Sequence, residues 1–238
     1  MTVIKVCGLT SVEEAVSVAG LGADIIGLVL APSRRRISTQ LAAAIAREVK
    51  RLPSPPAIAG VFVNEPAGNV NETAALCGLD IVQLSGDESW DYCNALKLPF
   101  IKVIHVMQSS SQTEVINDVE AGYKARQRQP FICMLDCKSD ERYGGSGHSF
   151  DWNIAALACT RFPLMVAGGL SPANVRQLIR SAAPSGVDVS SGVESDGKKD
   201  LNKAIDFVRA VRLTSGRSTN NSEILKTLLC KGERYATR

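Results

Sequence analysis

The sequence predicts an α/β protein whose eight parallel strands close into a (β/α)8 barrel. Three observations carry that expectation. Short apolar, β-branched runs alternate with longer stretches of helical periodicity as far as residue 212. The runs are continuously apolar, as parallel strands covered on both faces require. Eight strand–helix units of roughly 26 residues each fit a barrel, whereas a doubly wound sheet uses about five to seven.

The first strand is residues 3–6. It leads to Ser11, a capping residue with Glu13 and Glu14 in the following turn, where carboxylates suit the positive helix end. Residues 25–30 form the second strand, after which Ser38 or Thr39 opens the helix LAAAIAREVKRL, stopped by Pro53. Strands three to five are 57–63, 81–84 and 100–106, and the polar stretch 108–129 leaves the next helix loosely bounded. The sixth strand is 131–135 and the seventh 164–167, with Ser171-Pro172 opening a helix that has proline at its first position. Residues 187–189 make the eighth strand, and Asp200 starts the last helix, DLNKAIDFVRAVR.

Composition narrows the class. The chain is 45% hydrophobic and 21% charged, which excludes disorder and a collagen-like repeat. No apolar run reaches the ~18 residues a membrane helix needs. The start, MTVIKVCGLT, lacks the cationic and apolar regions of a secretory leader. Seven irregularly spaced cysteines then read as reduced thiols of a cytoplasmic protein rather than a disulfide scaffold. Lys and Arg number 27 against 24 Asp and Glu, and the surplus lies in 213–238, which holds five cations and two carboxylates. Residues 1–212 are therefore a charge-balanced barrel domain, and neither nucleic acid nor membrane is an expected partner. Residues 213–222 have the composition of a polar linker, and 223–238 suit one short amphipathic helix. A flexible extension is the expectation, and a segment that packs or binds a partner is the alternative.

Active sites of such barrels lie at the carboxyl ends of the strands. Polar and glycine residues concentrate there: Cys7-Gly8, the run Pro32-Ser33-Arg34-Arg35-Arg36, Val63-Asn64, Ser85-Gly86-Asp87-Glu88, Asp136, Gly144-Gly145-Ser146-Gly147, Gly168-Gly169 and Ser190-Ser191-Gly192. Glycine clusters after strands seven and eight, each leading into a helix, predict a nest of backbone N–H groups for a phosphate. Val3, Lys5 and Cys7 share one strand face. If that face points inward, Lys5 is a buried cation that favours the Cys7 thiolate. Asp136 follows an apolar strand, so it is hydrogen-bonded, paired or functional. A thiol and a carboxylate facing one another across the mouth suit proton removal and donation at two points of one substrate. His105 and His148 are too few and scattered for a metal site, and Cys133 and Cys137 lack the companions that zinc requires. No dinucleotide fingerprint or P-loop is present.

Taken together, these segments resemble the phosphoribosylanthranilate isomerases of tryptophan biosynthesis. The matching pieces are KVCGLT, GADIIGLVLAPSRRRIS, GVFVN, VQL-x-GDE, LD, YGGSG, FDW, AGGLSP-x-NV and VDVSSGVE, in family order over residues 3–212. The resemblance implies a single-domain TIM barrel that rearranges N-(5-phosphoribosyl)anthranilate to 1-(2-carboxyphenylamino)-1-deoxyribulose 5-phosphate without cofactor or metal. It makes Asp136 the general acid that opens the furanose ring and Cys7 the general base that takes the C2 proton. It gives the anthranilate carboxylate to Arg35, with Arg36 as the alternative because the loop is a residue short. It gives the phosphate to Gly144, Gly145, Ser146, Gly147, Gly168, Gly169, Ser190, Ser191 and Gly192. A small phosphorylated substrate is the partner, and both a monomer and a homodimer remain open.

Two departures stand out: Ser85 where the family usually has histidine, and the extension after residue 212. The related histidine-pathway isomerase uses aspartate where this chain has Cys7, which argues against it. A phosphate-binding barrel without catalysis, acting as a scaffold or regulatory partner, is the other rival, and Cys7 and Asp136 argue against that too.

Overall fold

The computed structural model describes residues 1–107, 109–125, 127–137, 151–215 and 228. Strands β1 (Val3–Cys7), β2 (Ile25–Val29), β3 (Ala57–Phe62), β4 (Ile81–Leu84), β5 (Phe100–Val106), β6 (Phe131–Cys137), β7 (Leu164–Val166) and β8 (Gly186–Val189) pair in sequence order, all parallel. The barrel closes where β1 pairs with β8, Lys5 opposite Asp188. Around it run α1 (Val12–Gly20), α2 (Thr39–Val49), α3 (Ala67–Cys77), α4 (Trp90–Cys93), α5 (Gln112–Lys124), α6 (Trp152–Arg161), α7 (Val175–Ala182) and α8 (Leu201–Thr214). The fold is the expected (β/α)8 barrel.

Local chemistry explains most of the boundaries. The Ser11 side chain accepts from the Glu14 N–H and caps α1. Ser38, not Thr39, caps α2 by accepting from the Leu41 N–H. In the polar stretch whose limits were unclear, Ser111 and Glu114 form a reciprocal capping box that fixes the start of α5. Proline does not open α7: residues 172–174 form a turn and the helix begins at Val175. The reason is Asn174, whose side chain accepts from the Ser171 N–H and donates to the Gly169 carbonyl, holding the loop out of the helix. The cluster after β8 also differs from expectation. It runs into a single 3-10 turn (Ser191–Val193) and a small hairpin, β9 (Glu194–Ser195) and β10 (Lys198–Lys199), before α8 begins.

Burial divides the apolar residues into two shells. The outer shell, between barrel and helices, contains Ile4, Val6, Phe100, Ile104, Cys133, Leu135, Val187 and Val189. The inner shell contains Val3, Ile25, Ala57, Ile81, Ile101, Val103, Ile132, Met134 and Met165. Strand residues alternate between the two faces, so this parity turns Lys5, Cys7, Gln83, His105, Asp136 and Asp188 inward. The inner shell is apolar below and polar near the mouth, which puts the chemistry at the carboxyl ends of the strands.

Of the extension 213–238, only 213–215 and Leu228 fall within the described residues. Leu228 is 3% exposed and joins the inner shell. Arg212, near the end of α8, donates to the Thr2 and Gly22 carbonyls and pairs with Asp24 at 2.9 Å. Those groups precede β1 and β2, so α8 ends beneath the barrel.

Candidate active site

Lys5 and Asp188 form a buried ion pair, Nζ to Oδ2 at 3.0 Å, between neighbouring strands below the mouth. One layer up on β1 sits Cys7, buried at 7% exposure. Burial pushes its thiol above the ordinary range, and the nearby Lys5 ammonium works in the opposite direction without overcoming it. Lys5 thus favours the thiolate, as the strand pattern suggests, but shares its charge with Asp188. Asp136 stands at the inward end of β6, three strands from Cys7 by way of β8 and β7. Burial first, and then the Asp188 carboxylate, push it up to about 7, against the Cys137 N–H and Lys5. Asp136 is therefore about half protonated at neutral pH, where an ordinary carboxyl is ionised.

The loops after β7 and β8 close this side of the mouth. Gly168 and Gly169 adopt φ of 86° and 64°, in the left-handed region that glycine favours. At Gly168 the need is also steric, because a Cβ would stand 2.8 Å from the Cys137 backbone nitrogen and 3.2 Å from Asp136 Oδ1. Ser190 Oγ donates to the Cys7 carbonyl at 2.9 Å, tying the β8 loop to β1. Ser191 and Gly192 follow in the 3-10 turn. Gly144, Gly145, Ser146 and Gly147 lie outside the described residues.

Arg35, on the loop after β2, is 8% exposed, whereas its neighbours Arg34 and Arg36 are exposed. Its aliphatic stem crosses Gly8, where a Cβ would collide with Arg35 Cδ. Glu194 takes the guanidinium in two contacts, Oε1 to Nε at 2.7 Å and Oε2 to Nη2 at 2.9 Å. Lys199 Nζ donates to the same carboxylate at 2.6 Å and to the Ser190 carbonyl at 3.1 Å. On the far side of Asp136, His105 Nε2 lies 2.9 Å from the Ser85 carbonyl, to which it donates, and Gln83 Nε2 donates to the Ser85 hydroxyl at 3.0 Å. Among the described residues no cluster of three or more His, Cys, Asp or Glu is placed to hold a metal.

The family model for N-(5'phosphoribosyl)anthranilate (PRA) isomerase matches residues 4–210. The chain belongs to the phosphoribosylanthranilate isomerase family. An N-(5'-phosphoribosyl)anthranilate isomerase of Dehalococcoides mccartyi is 47% identical over 212 residues, covering 89% of this chain and 96% of its own. One from a Roseiflexus species is 42% identical over 215 residues, covering 88% and 97%. The crystal structure of the Thermotoga maritima phosphoribosyl anthranilate isomerase superposes with a TM-score of 0.76 at 34% identity, covering 89% of this chain and 99% of that one. A further isomerase structure, in complex with reduced 1-(o-carboxyphenylamino)-1-deoxyribulose 5-phosphate, superposes at 0.73 with 33% identity, covering 89% and 99%.

Within this phosphoribosylanthranilate isomerase fold, Cys7, Asp136, Gly168, Gly169, Ser190 and Arg35 all border one mouth. Arg36 turns away, lining a groove with Leu30, Phe62 and Glu65 outside the barrel. Sequence reasoning gave no role to Asp188, Glu194 or Lys199. The first two lie inside quoted motifs. Lys199 sits in a short charged stretch with no motif to mark it, and only the fold brings it back to the mouth. His105, set aside as a metal ligand, returns as an imidazole lying against Ser85.

Proposed function

We propose that this mouth isomerises N-(5'-phosphoribosyl)anthranilate by proton transfer, with Asp136 as general acid and Cys7 as general base. The chain is a phosphoribosylanthranilate isomerase, which makes the reaction an aldose–ketose isomerisation in tryptophan biosynthesis. Asp136 gives its proton to the furanose ring oxygen, the C1–O bond breaks, and the anthranilate nitrogen lone pair forms the C1=N Schiff base. Cys7, as thiolate, then takes the proton from C2, and the C2–H electron pair shifts to give the enolamine. Tautomerisation returns a proton to C1 and leaves the C2 ketone. The cationic Schiff base favours the thiolate at the moment the base is needed. Every step is a proton transfer, which side chains supply unaided.

The Ser190–Gly192 and Gly168–Gly169 loops offer backbone N–H groups to the phosphate. Arg35, buried beside Cys7 and Gly8, receives the aromatic carboxylate in a planar, bidentate contact. One observation carries the reading: Asp136 and Cys7 both turn inward at the carboxyl ends of their strands, and burial beside Asp188 pushes the Asp136 carboxyl up to about 7.

Loss of substrate fluorescence on adding the protein tests it. Wild type turns over, while Cys7→Ser and Asp136→Asn fall by about 10²–10⁴-fold. Absence of turnover by wild type removes the isomerase reading, and variants as active as wild type remove the role assignment.

A further inference from the structure

We propose that Glu194 is a positioning residue that holds Arg35 with one guanidinium edge presented to the substrate's aromatic carboxylate. The inference rests on the substrate reading above and goes one step deeper into the same site. A guanidinium carries five N–H donors. Glu194 takes Nε–H and one Nη2–H, at 2.7 and 2.9 Å, which is the side edge of the fork. The end edge, with one hydrogen on Nη1 and the second on Nη2, suits a second planar carboxylate.

Glu194 is well fixed for that task. Its side chain is 6% exposed, and Lys199 Nζ and Arg34 Nη2 hold it at 2.6 and 3.2 Å. Burial works against its charge, yet the hydrogen bonds from Arg35 and Lys199 bring its carboxyl down to about 2. Three cations thus face one carboxylate beside Ser190 and Cys7, so the cluster keeps a positive surplus that an incoming anion neutralises.

The placement also links the two ends of the substrate. Glu194 follows directly on the 3-10 turn that carries Ser191 and Gly192, and Lys199 reaches back to the Ser190 carbonyl. One short segment therefore sets both the loop offered to the phosphate and the arginine offered to the ring. Arg35 has four rotatable side-chain torsions, and without Glu194 it would have to be ordered by the substrate itself.

The test is a double-mutant cycle on kcat and KM. Glu194→Gln raises KM by about tenfold or more while kcat changes by no more than about twofold, because the lost element is binding geometry. Arg35→Ala raises KM as well, and Glu194→Gln adds less than about twofold in that background. Glu194→Asp, which keeps the charge with a shorter reach, falls between wild type and Glu194→Gln. Should Glu194→Gln not fold, Glu194→Asp is read through the same cycle. An unchanged KM in a folded variant, a loss confined to kcat, or full additivity with Arg35→Ala overturns the assignment. Wild-type turnover is the separate control: its absence removes the substrate reading, whereas turnover with additive losses removes only the role of Glu194.

Discussion

At the scale of single residues, four titratable groups share one poorly solvated chamber. Asp188 neutralises Lys5, Lys5 draws down both Cys7 and Asp136, and Asp188 pushes Asp136 up. The proposed mechanism needs Asp136 protonated and Cys7 ionised, and their order is reversed: the acid titrates near 7 and the thiol above its ordinary range. The reactive form is then a small, constant fraction between the two values. It shrinks below about 7 as the thiolate population falls, and above the thiol value as Asp136 loses its proton. Profiles of kcat/KM against pH should show a plateau starting near 7 and extending into the alkaline range. In Lys5→Met the thiol loses the cation that draws it down, so the alkaline end of the plateau moves to higher pH. The alkylation rate of Cys7, followed by peptide mass spectrometry, moves in the same direction. Retention of the wild-type alkylation profile would show that Lys5 does not act on the thiol.

At the scale of elements, the strands and caps were readable because they obey local rules. Continuous apolar runs marked each strand, and Ser11 and Ser38 marked helix starts through their hydroxyls. Replacing Ser111 with alanine should cost about 1 kcal/mol in denaturant unfolding, since it removes the cap of α5. The exceptions have a common cause. Asn174 diverts the start of α7 by serving the Gly169–Ser171 loop, and the Glu194–Lys199 hairpin intervenes between β8 and α8 and sets the Glu194 carboxylate against Arg35. Both are decided by contacts remote in sequence or outside the helix, which periodicity does not carry. Cys7 and Asp136 were legible as polar residues ending apolar strands, whereas the partnership of Arg35 with Glu194 spans 159 positions and has no local signature. The β7 loop makes a prediction of its own. Gly168→Ala should destabilise the protein by roughly 1–3 kcal/mol through its positive φ. Its Cβ also presses on the Asp136 carboxyl, so kcat should fall as well. Wild-type kcat in a folded Gly168→Ala would contradict that packing.

At the scale of the whole molecule, the family match ends at residue 210 and the chain continues for another 28 residues. Charge places a small positive surplus there, yet the described contact is apolar: Leu228 joins the inner shell. Leu228→Ala should lower stability by about 2 kcal/mol. For a chain of this size that is roughly 4–8 °C in Tm, and a chain ending at Ser215 should show a similar drop. Turnover should survive in both, because the mouth keeps its own contacts. An unchanged Tm would show that the barrel does not depend on the extension. The central claim lies at the mouth, in the proton of Asp136. Carbon-13 NMR titration of its carboxyl, assigned with Asp136→Asn and Asp188→Asn, tests it most directly. A midpoint near 7 is the predicted result. A midpoint at the ordinary carboxylate value of about 3.9 would leave Asp136 ionised at neutral pH and contradict its role as the acid.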